Sequence, residues 1–250
     1  MENLISSFQR LFILLHILKE TCANNVNLQL FEPTIIANPF HEVSYVLQKT
    51  DDDAVFLIET IPAKQPCKTS GNFRFYEGNG KTGILRFEHG CMAEVKTWVA
   101  DSNTVSMDVN KPAFSVWTLL AKDQSQGACL GDPVHLFAER REKFITTATF
   151  PRQYPAQVNC TWNITSPNNR NIALTVYYLD VEVGPERNCV FDYIKIQSDG
   201  KEEYLCGENI WDKETFHGSH FLVDFISDKS GVRNGFLIGF HELQIIHDDL

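Results

Sequence analysis

The chain has 250 residues, enough for one large domain or two of ordinary size. Its formal net charge of −10 and its pI near 5.2 argue against a nucleic-acid partner, which would need a basic footprint. Aromatic residues make up 12% of the chain and charged residues 22%, which is a globular rather than a disordered composition.

The N-terminal segment has the layout of a secretory signal peptide. Residues 1–10 end in a single arginine, Leu11–Leu18 is an apolar run, and Thr21–Ala23 offers small residues for cleavage. The apolar run is too short to span a bilayer, and no later run is long enough either. An amphipathic helix of the folded protein is the alternative interpretation. We expect residues 1–23 to be removed and the mature chain to be secreted, with no membrane span.

Six cysteines remain when Cys22 is lost with this segment. An even number of cysteines in an oxidising compartment predicts three disulfides, and fifteen pairings are open. Pairing between neighbours along the chain is the simplest of these. The six residues are Cys67, Cys91, Cys129, Cys160, Cys189 and Cys206.

Short strand-like runs separated by turn residues fill residues 24–122. Examples are V-S-Y-V-L at 43–47, A-V-F-L-I-E at 54–59 and N-F-R-F-Y at 72–76. Many short strands with regular turn signals are typical of an all-β sandwich. We expect residues 123–128 to form a polar linker and Asp132–Lys143 to be the one place for a short helix.

Strand-like runs resume in residues 129–243. A period-two alternation predicts a buried face in the runs that begin near Cys189 and at Phe221. The predicted buried positions are Val190, Tyr193 or Ile194, Ile196, Phe221, Val223 and Phe225.

The two halves of the chain look like diverged copies of each other. Cys67 and Gly78 are separated by the same number of positions as Cys189 and Gly200, and each interval ends in an alternating run and an acidic-glycine turn. Tyr45 also falls where Trp162 sits. This self-similarity predicts two tandem antiparallel β-sandwiches of about a hundred residues each.

Three acidic residues, Glu182, Asp192 and Asp228, lie just outside strand-like runs of the second half. Carboxylates that converge from separate strand ends suit a hard, oxygen-seeking cation, and Ca²⁺ above all. Ser230 or Gly231 could add a backbone or hydroxyl oxygen as a further ligand. We therefore predict one calcium site in the second half. The alternative is three solvated loop carboxylates that bind no metal.

The second half resembles a CUB domain over nearly its whole length. The matching elements are C-x-G at Cys129, Y-P…C-x-W-x-I at Tyr154–Ile164, L-D-V-E at Leu179–Glu182, C-x-F-D-Y-I-K-I at Cys189–Ile196, C-G at Cys206 and F-I-S-D…G-F at Phe225–Phe236. The resemblance implies two antiparallel sheets with the bridges Cys129–Cys160 and Cys189–Cys206. The first half resembles a degenerate CUB-like domain, in which Cys67–Cys91 would be the retained bridge and Val43 replaces a cysteine.

The CUB resemblance also implies a calcium-dependent recognition mechanism. Many CUB domains hold calcium with a glutamate and two aspartates at the positions of Glu182, Asp192 and Asp228. The ion would order these loops, and their outer oxygens would accept a Lys or Arg of an extracellular partner. Ser70 and Pro112 fall at the two aspartate positions of the first half, so we expect no site there.

Two glycosylation sequons begin at Asn159 and Asn163. Alternation with the predicted buried residues Cys160 and Trp162 points both asparagines outward. We expect a glycan on at least one of them. Steric exclusion of such close neighbours is the alternative.

No catalytic constellation accompanies these features. The sequence has no nucleophile motif near its histidines and no H-E-x-x-H, so we predict a non-enzyme. We expect a secreted binding module that recognises a protein or a glycan. The alternatives are a protease-associated regulator without a catalytic domain and an abundant gland secretion, such as a venom, salivary or seminal component. The tail, residues 244–250, ends in H-D-D-L, close to the retrieval signal H-D-E-L, but we favour a tail without a signal.

Overall fold

The structure is a computed structural model that describes residues 24–27, 34–36, 43–62, 72–78, 83–89, 96–110, 114–123, 128–209 and 213–243. These residues form an all-β protein, with one 3₁₀ turn at Pro185–Arg187 in the second half. Within the part of the chain that the structure describes, no helix combines the length and the apolar character that a membrane crossing needs. The predicted signal peptide, the tail and the predicted Cys67–Cys91 bridge lie outside these residues.

The first half folds into two sheets that face each other. Its described strands are β1 (Asn24–Asn27), β2 (Thr34–Ile36), β3 (Val43–Gln48), β4 (Val55–Pro62), β5 (Asn72–Glu77), β6 (Ile84–His89), β7 (Lys96–Ala100), β8 (Thr104–Asn110) and β9 (Phe114–Ala121). Sheet 1 has the order β1-β3-β8-β5-β6, and sheet 2 has the order β2-β9-β4-β7.

The second half repeats this arrangement. Its described strands are β10 (Val134–Phe137), β11 (Lys143–Thr146), β12 (Asn159–Thr165), β13 (Ile172–Val181), β14 (Tyr193–Ser198), β15 (Lys201–Leu205), β16 (Gly207–Asn209), β17 (Glu214–Gly218), β18 (His220–Ile226) and β19 (Gly235–Glu242). Sheet 3 has the order β10-β12-β18-β14-β15. Sheet 4 has the order β11-β19-β13-β16, with β17 also paired to β13.

The strand orders confirm the predicted pair of tandem sandwiches. Strands β1, β3, β8, β5 and β6 of sheet 1 correspond in order to β10, β12, β18, β14 and β15 of sheet 3. The register agrees as well, because Tyr45 pairs with Met107 in sheet 1 where Trp162 pairs with Val223 in sheet 3. Sheets 1 and 3 are antiparallel except at one edge. At that edge, β1 pairs with β3 in sheet 1 and β10 pairs with β12 in sheet 3, both in parallel.

The core of the second sandwich fills the space between sheets 3 and 4. Trp162 is 1% exposed and packs edge-on against Phe236, with ring centroids 5.7 Å apart. Of the alternatives Tyr193 and Ile194, it is Ile194 that faces this core. The other predicted positions on strands also face it; they are Ile196, Phe221, Val223 and Phe225. Val190 is 58% exposed, so its predicted burial is wrong. It lies in the loop before β14, where the alternation of the strand does not apply.

The expected short helix within Asp132–Lys143 is also wrong. This segment contains β10 and the start of β11. Val134 pairs with Trp162 across the parallel edge of sheet 3, and the exposure of β10 alternates as a strand requires. Pairing with an existing sheet edge therefore decides the conformation here.

An apolar seam joins the two sandwiches. Strand β4 turns Phe56 into the core of the first sandwich and the next residue, Leu57, towards the second. Leu57 clusters with Phe144 and Leu237 of sheet 4, and all three side chains are fully buried. Sheet 4 is thus covered on both faces, whereas sheet 3 takes no part in the seam.

Candidate metal centre

The structure brings together the three carboxylates that were predicted to bind calcium. Glu182 follows β13 of sheet 4, and Asp192 and Asp228 flank the neighbouring strands β14 and β18 of sheet 3. One oxygen from each side chain lies within 4.8 Å of the others. The three strand ends therefore open onto one site at one end of the second sandwich.

Asp192 is the fixed point of the cluster. Its side chain is fully buried, and both of its oxygens accept hydrogen bonds. The hydroxyl of Tyr154 donates to Oδ2 at 2.6 Å, and the backbone N–H of Asp228 donates to Oδ1 at 2.6 Å. Such charge-assisted bonds are the strong ones inside a protein, so the position of Asp192 is set by the fold.

Tyr154 connects two of the acidic residues, a role that the sequence did not predict. Its hydroxyl donates to Asp192 and accepts a hydrogen bond from the backbone N–H of Glu182 at 3.1 Å. Its ring packs edge-on against Phe225, with centroids 5.1 Å apart. Burial, followed by the hydrogen bond to Asp192, raises the pKa of Tyr154 well above its ordinary value, so the hydroxyl keeps its proton.

Glu182 is the unsatisfied member of the cluster. Its Oε2 is buried and has no hydrogen-bond partner among the described residues. Burial raises the pKa of this carboxyl, and the charges of Asp192 and Asp228 raise it further, against a smaller lowering by Arg233. An orphaned carboxylate oxygen beside two like charges is the arrangement that a bound cation would relieve.

The loop after β18 closes the site. Oδ1 of Asp228 accepts a hydrogen bond of 2.8 Å from the backbone N–H of Ser230, so Ser230 meets the cluster through its backbone. Gly231 has a φ of +79° and lies against the Glu182 carboxylate, where a Cβ would collide with both of its oxygens. The backbone conformation favours glycine at this position, and its lack of a side chain leaves the Glu182 carboxylate undisturbed.

The composition of the cluster fits calcium. All three side-chain donors are hard carboxylate oxygens, which Ca²⁺ prefers. Among the described ion pairs, none involves Glu182, Asp192 or Asp228. The negative charge of the cluster is therefore not cancelled by a bound Lys or Arg of the described chain.

Two disulfides hold this domain together. The bonds Cys129–Cys160 and Cys189–Cys206 are the two that the CUB resemblance implied. Cys189–Cys206 ties the loop that leads to Asp192 to the end of β15.

The two sequon asparagines lie on β12 of sheet 3. Asn159 is exposed and Asn163 is half-buried, whereas the alternating residues Cys160 and Trp162 are buried. Both asparagines therefore lie on the outer face of sheet 3, as the alternation predicted.

Residues 131–240 match the family model of the CUB domain. Together with the strand order and the two disulfides, this match identifies the second sandwich as a CUB domain. The chain is similar to rat procollagen C-endopeptidase enhancer 1, with 30% identity over 112 residues that make up 42% of this chain and 24% of that protein. It is also similar to mouse Tolloid-like protein 1 (31% identity, 38% of this chain, 10% of that protein) and to the zinc metalloproteinase nas-39 of Caenorhabditis elegans (34%, 38% and 10%). The matched region thus spans a quarter or less of each of these relatives.

Solved structures also match the chain, with low TM-scores. The chain matches the human MASP-1/3 fragment CUB1-EGF-CUB2 with a TM-score of 0.39 and 14% identity, over 84% of this chain and 99% of that one. It matches the MASP-1 CUB2 domain, whose structure is described as bound to Ca²⁺, with a TM-score of 0.38 and 27% identity, over 42% of this chain and 96% of that one.

Proposed function

We propose that the second sandwich is a calcium-dependent, non-catalytic module that binds an extracellular protein through a Lys or Arg side chain of that partner. The observation that carries this proposal is the convergence of Glu182, Asp192 and Asp228 around a buried carboxylate oxygen without a partner. CUB domains are protein-interaction modules that occur mostly in extracellular proteins, which supports an extracellular protein partner.

The three carboxylates would hold the ion, with Asp192 as the preset ligand and Glu182 as the one that gains a partner. Bound calcium would supply two positive charges that relieve the repulsion within the cluster and link the loops of sheets 3 and 4. Three carboxylates and one divalent cation leave a net negative charge, which favours a basic group over an acidic one. Binding should therefore weaken when the ion is removed and when the salt concentration rises.

The test is to measure the binding of lysine-containing peptides to the secreted protein by surface plasmon resonance, once in calcium and once in chelator. We expect calcium-dependent binding that is lost in Asp192→Asn. The matched control is Asp224→Asn, because Asp224 lies on β18 and accepts a hydrogen bond from Thr161 on the outer face of sheet 3. Equal binding in calcium and in chelator would overturn the proposal.

A protease-associated regulatory role is the second candidate. Two of the similar proteins, an endopeptidase enhancer and a zinc metalloproteinase, favour this role over a gland secretion. Under this hypothesis the basic side chain belongs to a protease or to its substrate. Calcium-dependent binding of a purified secreted metalloproteinase to the wild-type chain, and its loss in the Asp192→Asn variant, would support this candidate. Binding of glycans without binding of any protease would contradict it.

We also propose the processing steps that this function requires. Residues 1–23 are removed on secretion, Cys67 pairs with Cys91, and Asn159 or Asn163 carries a glycan. The two sandwiches then extend over residues 24–122 and 129–243, joined by residues 123–128. Intact mass before and after enzymatic deglycosylation, with and without reduction, measures all three modifications. An unmodified mass that includes residues 1–23 would contradict the secreted state.

A further inference from the structure

We infer that the partner's basic side chain is flanked by aliphatic or aromatic residues, because four exposed apolar side chains lie on the segments that carry or adjoin the acidic residues. These residues, which we term the apolar rim, are Val183, Val190, Phe191 and Tyr204. The inference rests on the proposed function and specifies the chemistry of the partner at the same site.

The rim is an unusual concentration of exposed apolar surface. Val190 is 58% exposed, Tyr204 48%, Val183 40% and Phe191 38%. Among the described residues, half of the large hydrophobic side chains that are exposed belong to the rim. Contiguous exposed apolar surface on a soluble protein marks an interaction site, and aromatic residues are enriched at the cores of such sites.

The chain itself places the rim around the carboxylates. Val183 follows Glu182 directly, and Phe191 precedes Asp192 directly. Each pair of neighbours combines a charged side chain that turns into the cluster with an apolar side chain that remains in solvent. The exposed side chains of Val183 and Phe191 therefore lie next to two of the carboxylates in the chain.

The disulfide adds the other half of the rim. Cys189 is bonded to Cys206, and its Sγ lies 3.8 Å from the carbonyl oxygen of Tyr204. Val190 and Tyr204 are thus carried by adjacent segments. The ring of Tyr204 is also tilted against that of Tyr193, with centroids 5.5 Å apart, so the rim extends onto the outer face of sheet 3.

The loop that carries the rim is held in place before any partner arrives. The backbone N–H of Gly184 donates to the carbonyl of Asn188 at 2.8 Å, across the turn Pro185–Arg187. The Cγ2 of Val190 lies so close to Gly184 that a Cβ there would come within 2.5 Å of it. A preorganised apolar surface loses little conformational entropy on binding, which favours affinity.

Charge and apolar character together select the occupant. The cluster is negative and the rim offers apolar contact area, with the Lys195 ammonium 5.9 Å from the centroid of the Tyr204 ring at its outer end. The surface that matches the cluster and the rim is a cation between apolar side chains. A protein loop with a Lys or Arg between aliphatic or aromatic residues has this chemistry. A neutral glycan would satisfy the carboxylates through hydroxyl groups and leave the rim exposed.

The test compares three disulfide-closed synthetic peptides that differ only around their central residue. The first places lysine between leucine and phenylalanine, the second places lysine between serines, and the third places norleucine between leucine and phenylalanine. Their affinities are measured by fluorescence anisotropy in calcium and in chelator. We expect the first peptide to bind about tenfold more tightly than either of the others, and only in calcium.

Variants of the rim sharpen this test. Val190→Ser and Tyr204→Ser should each weaken binding of the first peptide by about fivefold to tenfold while leaving the serine-flanked peptide unchanged. The control is Phe137→Ser, because Phe137 is 56% exposed at the end of β10, where its strand pairs with Thr165. Val190→Thr is the second, more conservative variant, and melting curves in calcium verify that each protein is folded.

The outcomes separate this inference from the proposed function. Calcium-dependent binding of both lysine peptides with equal affinity would overturn the role of the rim and retain the basic partner. Failure of every lysine peptide to respond to calcium would overturn both. Equal binding of the norleucine and lysine peptides would also contradict the inference, because it requires the charge and the apolar flanks together.

Discussion

The two sandwiches share one strand order, yet among the residues that the structure describes only the second carries an acidic cluster. In sheet 1, Asn72 pairs with Asn110, and in sheet 3 the corresponding pair is Tyr193 with Ile226. The ladders are therefore equivalent up to the ends of the strands. The residues that distinguish the two halves at the acidic cluster lie just beyond these pairs in sequence.

The residues next to these pairs explain the difference. Asp192 comes directly before Tyr193 in sequence, and Gly71 comes directly before Asn72. Pro112 follows Asn110 at the same interval at which Asp228 follows Ile226. The ladder thus moves the counterpart of Asp192 from Ser70, the position predicted from cysteine spacing, to Gly71. Neither position offers a carboxylate, so the same strand order exists without the proposed metal site.

The largest expected effect distinguishes the two cores. Trp162 is 1% exposed, whereas its counterpart Tyr45 is half-buried. We expect Trp162→Ala to lower the free energy of unfolding by about 3–5 kcal/mol. Tyr45→Ala should cost about 1–2 kcal/mol, because it removes less buried area. Urea unfolding of both variants measures the difference, and equal losses would show that the two cores are packed equally well.

The seam tests whether the sandwiches behave as one unit. Leu57 is fully buried between them, so Leu57→Ala should cost about 2–4 kcal/mol and separate the thermal unfolding into two transitions. Leu85→Ala is the control, because Leu85 is 47% exposed on sheet 1. Differential scanning calorimetry measures both. A single unshifted transition in Leu57→Ala would mean that the seam contributes no coupling.

The disulfide next to the cluster should affect both stability and the site. Cys189 and Cys206 are 17 positions apart, and opening a loop of this length costs about 3 kcal/mol on the chain-entropy account. We expect the double variant Cys189→Ala, Cys206→Ala to unfold at lower urea and to bind calcium more weakly, because the loop before Asp192 loses its anchor. Unchanged calcium affinity in a folded variant would assign the bridge to stability alone.

The smallest expected effect is a pH dependence at the opposite side of the second sandwich. Glu242 is 2% exposed, and its Oε1 accepts hydrogen bonds from Ser166 at 2.6 Å and from Asn168 at 3.0 Å. The bond from Ser166, then the one from Asn168 and the charge of Arg170, hold the pKa of Glu242 below its ordinary value. A lowered folded-state pKa contributes stability above the ordinary value, and that stability is lost as the pH falls through the folded-state pKa.

Replacement of Glu242 by glutamine should therefore flatten this dependence. Between about pH 5 and about pH 3, the wild-type protein should lose more stability to urea than Glu242→Gln does. Parallel curves for the two proteins would show that other carboxylates account for the acid sensitivity.

The sequence predicts those features that depend on local pattern. Alternation identifies Cys160, Trp162 and Ile164 as buried, and the acidic residues that flank strand ends do converge. These predictions succeed because a strand fixes the direction of every second side chain, and because neighbouring strand ends meet at one edge.

The features that the sequence missed depend on contacts between distant segments. Tyr154 donates a hydrogen bond to Asp192, which is 38 positions away in sequence. A tyrosine in a Y-P motif does not predict such a partner. The strand pattern around Leu57 does not distinguish it from the core residues of the first sandwich, although its side chain faces the second sandwich. Val190 follows the alternation of β14 in sequence but lies in the loop before it. Only the tertiary arrangement distinguishes these cases.

Calcium titration by calorimetry, with melting curves in calcium and in chelator, tests the central claim most directly. The account predicts one bound ion per chain and stabilisation of about 2.7 kcal/mol when free calcium is a hundredfold above the Kd. Both should vanish in Asp192→Asn and persist in Asp224→Asn. No heat and no shift in melting temperature for the folded wild-type protein would contradict the account, because the cluster would then be three carboxylates that hold no ion.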